Sequence, residues 1–149
     1  MRGKSGYRCN SIIAILPVLM LVGLYVLEFN TGHVWHVETK FGETKIYGYD
    51  DLREAAGALK CHFFLHMPGY ELRELSYDEE LVGPELDAMQ EEERISKRED
   101  AVILESVYVK VHSYDGSGDC NKEQTGRWIL IRDGITGKWR VEASACGCG

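Results

Sequence analysis

An α+β protein is predicted: an N-terminal transmembrane helix followed by a small domain of antiparallel sheet with one or two packed helices. Three patterns in the sequence carry that expectation. Residues 12–27 form an unbroken apolar run. Leu52, Ala55, Ala56, Leu59 and Phe63 recur at helical spacing. The last third alternates apolar and polar residues in three stretches separated by Gly- and Asp-rich segments, which reads as strands and turns.

The apolar run belongs to the stretch 11–29, "SIIAILPVLMLVGLYVLEF". At ~1.5 Å per residue it reaches roughly the ~30 Å of a bilayer core. Arg2, Lys4 and Arg8 precede it, and the first carboxylate is Glu28. This asymmetry predicts a single-pass protein of the cell membrane, with residues 1–10 inside and the C-terminal part outside as an extracellular domain. A cleaved secretory signal is the alternative, but no small-x-small cleavage pattern follows the run. The membrane is thus an expected partner through residues 11–29.

Residues 30–49 alternate weakly around "FGET" and read as a stalk or a hairpin. The domain is expected over 50–149. A helix is predicted from Asp50, as N-cap, to Pro68-Gly69, with the stripe above facing the core and Cys61 pointing away from it. Residues 69–77 read as a short strand. "SYDE" at 76–79 is a capping-box pattern, and Gly83-Pro84-Glu85 restarts a helix running to about Arg98, with Leu86, Met89 and Ile95 as a thin apolar stripe. Positions 78–93 hold eight carboxylates and no basic residue. The plain reading is a solvated helix face, and the alternative is a surface for a cation or a basic partner.

Residues 101–112 are predicted as a strand, 113–126 as a loop, and 127–133 and 138–145 as an antiparallel pair across the turn "GITG". Pairing Asp133 with Lys138 puts Trp128, Leu130, Trp139, Val141 and Ala143 on one face, which the first helix can cover. Ile129 and Ile131 then point the other way, toward the second helix or a partner.

The order "YELRELSYDEEL", "EDAVILESVYVKV", "YDGSGD", "RWILIRD", "GKWRVE" resembles a family of short, uncharacterised proteins of Clostridia-type Gram-positive bacteria, a domain of unknown function in secreted or membrane-anchored chains. The resemblance covers roughly 50–143. It implies no activity and no functional residue. The ending "EASACGCG" and Cys120 depart from the family's pattern.

Net charge is −7, and residues 33–149 carry 14 basic against 23 acidic residues, which makes −9. An acidic body of this kind excludes an electrostatic nucleic-acid footprint. No nucleophile elbow, zincin, Walker or Rossmann motif is present. No catalytic residue and no cofactor is therefore predicted.

The remaining candidates are thiols and imidazoles. The strand order brings Cys120, Cys146, Cys148 and His112 to one end of the sheet. Three outcomes stay open there: a disulfide from Cys120 to Cys146 or Cys148, a loose tail, or a metal or redox site. His62 and His66 stand i, i+4 on the first helix, a metal-capable spacing that also suits a helix C-terminus. Asp115 and Asp119 begin a calcium-loop-like pattern but lack its later glycine and glutamate, so a solvated turn is expected. The function expected from all this is a non-enzymatic binding or interaction module with an unknown protein or surface partner. The alternative is a thiol- or metal-handling protein, with a secreted form of the same domain as a further variant.

Overall fold

The computed structural model describes the backbone of residues 7–111 and 122–147, and the side chains within these except at 7–14, 28, 29, 143 and 145–147. Five strands form one sheet in the order β1-β2-β3-β4-β5: β1 (Glu38–Phe41), β2 (Tyr70–Tyr77), β3 (Ala101–Lys110), β4 (Glu123–Arg132) and β5 (Trp139–Gly147). Three α-helices accompany it: α1 (Tyr7–Asn30), α2 (Tyr49–His66) and α3 (Glu79–Glu91).

Among the described residues no helix is long and apolar enough to cross a membrane. This corrects the expected transmembrane segment 11–29, and with it the single-pass placement in the cell membrane with the N-terminus inside.

The sheet is mixed rather than antiparallel, a second correction. β1 pairs parallel with β2, Glu38 opposite Glu74 through Phe41 opposite Tyr77. A parallel neighbour needs a crossover, and α2 supplies it. Residues 33–41 are therefore the sheet edge. His33 already bridges Glu71, its N–H donating to the Tyr70 carbonyl at 2.8 Å. Only four β1 residues pair, and their side chains are mostly exposed, which is why the stretch carries so weak a strand signal.

α2 lies on one face. Its stripe Leu52, Ala55, Ala56, Leu59 and Phe63 is buried throughout, against Leu72, Leu75, Leu104, Tyr108, Trp128, Leu130 and Trp139. The helix starts one residue earlier than Asp50. Gly48 is the N-cap, and its N–H donates to the Asp51 carboxylate at 3.2 Å. That carboxylate also accepts from Arg132 at 2.6 Å, pinning the helix start to the end of β4. Arg132 in turn lies over the Trp139 ring, 4.4 Å from its centroid.

α3 covers the opposite face beside β3, burying Val82, Gly83, Leu86 and Met89. Here Gly83 and Pro84 do not restart a helix; they lie inside one. Asp78 is the N-cap, accepting from the Glu80 N–H at 2.9 Å. Pro84 falls six residues in, where its missing N–H frees the carbonyl of the exposed Glu80 near the helix start. Nor does the helix reach Arg98. Glu93 adopts φ 57°, and the N–H groups of Glu93 and Arg94 donate to the carbonyls of Gln90 and Met89, a Schellman closure. Ile95, the third member of the expected stripe, is buried after the helix has ended.

The β4–β5 hairpin forms as expected at its turn, where the Asp133 N–H donates to the Lys138 carbonyl at 2.9 Å. The Asp133 carboxylate accepts from the N–H groups of Thr136 and Ile135, which holds its pKa below the usual carboxylate range. β4 begins four residues before the expected Arg127. A bulge at Glu142 shifts the register, so Ala143 pairs with Ile129 rather than continuing the Trp128 row.

Candidate functional site

The end of the sheet where α2 finishes, β4 begins and β5 ends concentrates the side chains with ligand chemistry. Phe63 anchors it. Its ring packs edge-on against Trp128 and Tyr108, with centroids 6.3 and 5.8 Å apart. Trp128 Nε1 donates to Ser106 Oγ at 2.8 Å, and Ser106 donates to the Gly126 carbonyl at 3.3 Å. This buried polar chain is satisfied at each step, so the indole has one orientation. Gly126 leaves room here: a Cβ would stand 3.1–3.2 Å from Ser106 Oγ, Tyr108 and Trp128 Nε1, closer than these side chains ordinarily allow without shifting.

His62, one residue before Phe63, sets its ring edge-on to Trp128 at 5.9 Å. His66, one turn later, stacks on His62 with centroids 4.3 Å apart and planes 19° apart. The Nδ1 of His66 donates to the His62 carbonyl at 2.9 Å. Burial, and after it the neighbouring His66, holds the His62 imidazole below its ordinary pKa. Cys61 is exposed and a free thiol, as its position half a turn from the core stripe requires.

Of the thiol cluster expected at this end, His112, Cys120 and Cys148 lie outside the described residues, as do Asp115 and Asp119 of the calcium-like loop. Cys146 is described in its backbone alone. It is not in a tail: β5 continues through Gly147, with Cys146 opposite Gly126 and Gly147 opposite Thr125. Among the described residues no group of three or more His, Cys, Asp or Glu is placed to hold a metal ion.

The acidic stretch 78–93 turns out to be partly structural. Glu79 accepts from the Lys45 N–H at 2.8 Å, which lowers its pKa. Glu85 meets Arg127 at 3.2 Å, Arg127 also meets Glu105 at 3.1 Å, and Asp87 meets Arg98 at 2.8 Å. These contacts tie α3 to β3, β4 and the turn before β3. A solvated face still describes Glu80, Glu91, Glu92 and Glu93.

Two further features define the rest of the surface, and sequence reasoning missed the first. Gly32 sits in a collar where a Cβ would stand 2.5 Å from the Phe63 carbonyl oxygen, and its N–H donates to the Phe64 carbonyl at 2.9 Å. The chain leaving α1 is therefore clamped onto α2 within two residues. The signal was a glycine just past a long apolar helix, a usual stop position. The second feature is α1 itself. Eleven large apolar side chains between Ile15 and Leu27 are 48–68% exposed and lie on every side of the helix.

No family model, no curated protein and no solved structure matches the chain.

Proposed function

We propose that the protein is a non-enzymatic interaction module, and that α1 is the element through which it engages a partner. The carrying observation is the continuous apolar surface of residues 15–27, presented to solvent beside a domain whose own core is closed. Monomeric proteins rarely expose contiguous apolar surface on this scale, and a helix apolar all round needs cover from outside itself. The Gly32 collar and the His33 bridge supply the other requirement of a module, a fixed exit of the recognition helix from the domain. A flexible tether would lose ordering entropy on binding that this junction has already lost on folding.

Sedimentation of the full chain in detergent-free buffer tests the reading. Apolar helices without their partner cover one another, so the native chain is expected to be oligomeric at tens of micromolar, an order of magnitude chosen from typical interface strengths. Replacing Leu16, Leu19 and Leu24 together by Ser should leave a monomer whose thermal midpoint matches that of the native domain. A native chain that sediments as a monomer would contradict the reading.

A further inference from the structure

We propose that β1 is a pairing edge for a second copy of this chain: residues 37–41 of two copies run antiparallel about a two-fold axis at Thr39 and join their sheets edge to edge. This pairing does not rest on α1, and it can be tested with α1 silenced.

β1 is one of the two ends of the sheet. The other end, β5, is interrupted by the bulge at Glu142, a common protection of an edge. β1 keeps an unbroken register with β2 from Glu38 to Phe41. The direction of its backbone groups follows from its end, where the Gly42 N–H donates to the Tyr77 carbonyl at 3.0 Å. Backbone groups alternate sides along a strand. Glu38 and Lys40 therefore also turn theirs toward β2, and Val37, Thr39 and Phe41 turn theirs away from the sheet. Among the described residues no backbone hydrogen bond takes up these outward groups. Glu38, Thr39 and Lys40 are exposed and Phe41 is half-buried.

This edge is its own complement. With Thr39 opposite Thr39 of the second copy, Val37 stands opposite Phe41 and Glu38 opposite Lys40, each twice. The outward residues then fall at the hydrogen-bonded positions of an antiparallel pair, so every outward N–H meets a carbonyl. The side chains agree with the backbone. Val37 and Phe41 are partly buried against the core, with the Phe41 ring 6.0 Å from Tyr49. Pairing covers their open side with the Phe41 and Val37 of the other copy. Glu38 and Lys40 occupy the opposite face, where Lys40 also meets Glu74 at 2.7 Å. They fall at the non-hydrogen-bonded positions, where side chains of two strands come closest. A lysine on an edge commonly repels a second strand. Here the register that satisfies the backbone also sets Lys40 against Glu38. Sliding the axis to Glu38 or to Lys40 would put like charges opposite each other, so the register is selected. A two-fold pair of this kind is closed and stops at the dimer.

Five residues a side make a small interface, of the weak class. The dimer is therefore expected at about 0.1–1 mM rather than at tens of micromolar. The test uses the full chain with Leu16, Leu19 and Leu24 replaced by Ser, sedimented from about 10 μM to about 1 mM. A monomer at the low end and a dimer at the high end are expected. Adding Thr39→Pro removes an N–H that points away from β2, so the circular dichroism spectrum should be unchanged and the dimer lost. Lys40→Glu and Glu38→Lys should each weaken the dimer about tenfold, because the two-fold axis repeats each change. Mixed in equal amounts, these two variants should pair with each other as tightly as the parent chain pairs with itself. A chain still monomeric at about 1 mM would overturn the proposal. So would a dimer indifferent to Thr39→Pro, which would seat the second copy on another surface, or a mixture no tighter than its separate components.

Discussion

Tyr47 and Tyr77 show how single hydroxyls are decided by burial. Their rings meet edge to face at 5.5 Å in the corner between β2, the turn before β3 and the start of α2. Tyr47 donates to the carbonyls of Arg98 and Ala101, tying together two elements some fifty residues away in sequence. The Tyr77 hydroxyl, buried beside Thr44, completes no well-aligned hydrogen bond. Tyr47→Phe should therefore cost about 1–2 kcal/mol in a urea titration, and Tyr77→Phe should fall within about 0.5 kcal/mol of the native chain. Both phenols are pushed up by burial first, then Tyr47 by Tyr77 and Tyr77 by Glu79; Tyr77 reaches about 12. Below about pH 10, the ordinary phenol value, both states keep their protons and stability is flat. Above it the unfolded chain releases protons that the folded chain retains, so stability falls as pH rises from about 10 through 12. The Tyr47→Phe, Tyr77→Phe double variant, compared with its own value at pH 8, should show a smaller alkaline loss in thermal midpoint. Gly32 belongs to the same scale. Gly32→Ala drives a methyl into the Phe63 carbonyl, and a loss of about 1–3 kcal/mol is expected from such overpacking.

At the scale of elements, what was legible in the sequence was what repeats. The α2 stripe, β2, the core of β3, and the hairpin with Trp128, Leu130 and Trp139 on one face follow from periodicities of 3.6 and 2, and the helix buries that face as expected. What was not legible depends on partners far along the chain. β1 is short and exposed and becomes a strand through its pairing with β2. α3 tolerates Pro84 because the proline comes near its start, and it ends where Glu93 accepts a left-handed conformation that residue type does not advertise. The Glu142 bulge re-aims β5 after Val141, which no alternation pattern announces. The candidate site divides the same way: the i, i+4 histidines were readable, whereas the edge-on contact of His62 with Trp128 and the strand register at Cys146 were not. Two predictions belong here. Glu93→Gly should stabilise the chain by about 0.5–1 kcal/mol, read as a higher denaturant midpoint, because glycine carries no penalty at φ 57°. Trp139→Ala should cost about 3–5 kcal/mol, since it removes a buried ring and the surface on which Arg132 rests.

For the whole molecule, the division of surface is the informative fact. Three arginines of the domain, Arg127, Arg132 and Arg98, are each drawn to carboxylates of a helix or a neighbouring strand. Its apolar core is enclosed between the two faces of the sheet and the helices α2 and α3, with single large apolar side chains such as Leu65 and Ile135 left exposed. Against that body stands α1, apolar on all sides over 15–27, with Gly32 just past its end packed on α2. The expectation of a spanning anchor was drawn from the same residues. The run is legible as apolar, but among the described residues no helix is long and apolar enough to cross a membrane. The central claim, that this helix is an interaction element, is tested most directly by placing a photo-crosslinking residue at Leu19 in the full chain in its native cells, with matched controls at the exposed domain positions Leu65 and Ile135. A discrete higher-mass protein adduct from position 19 and none from 65 or 135 is the predicted result. Equal adducts from all three positions, or none from position 19, would contradict the account.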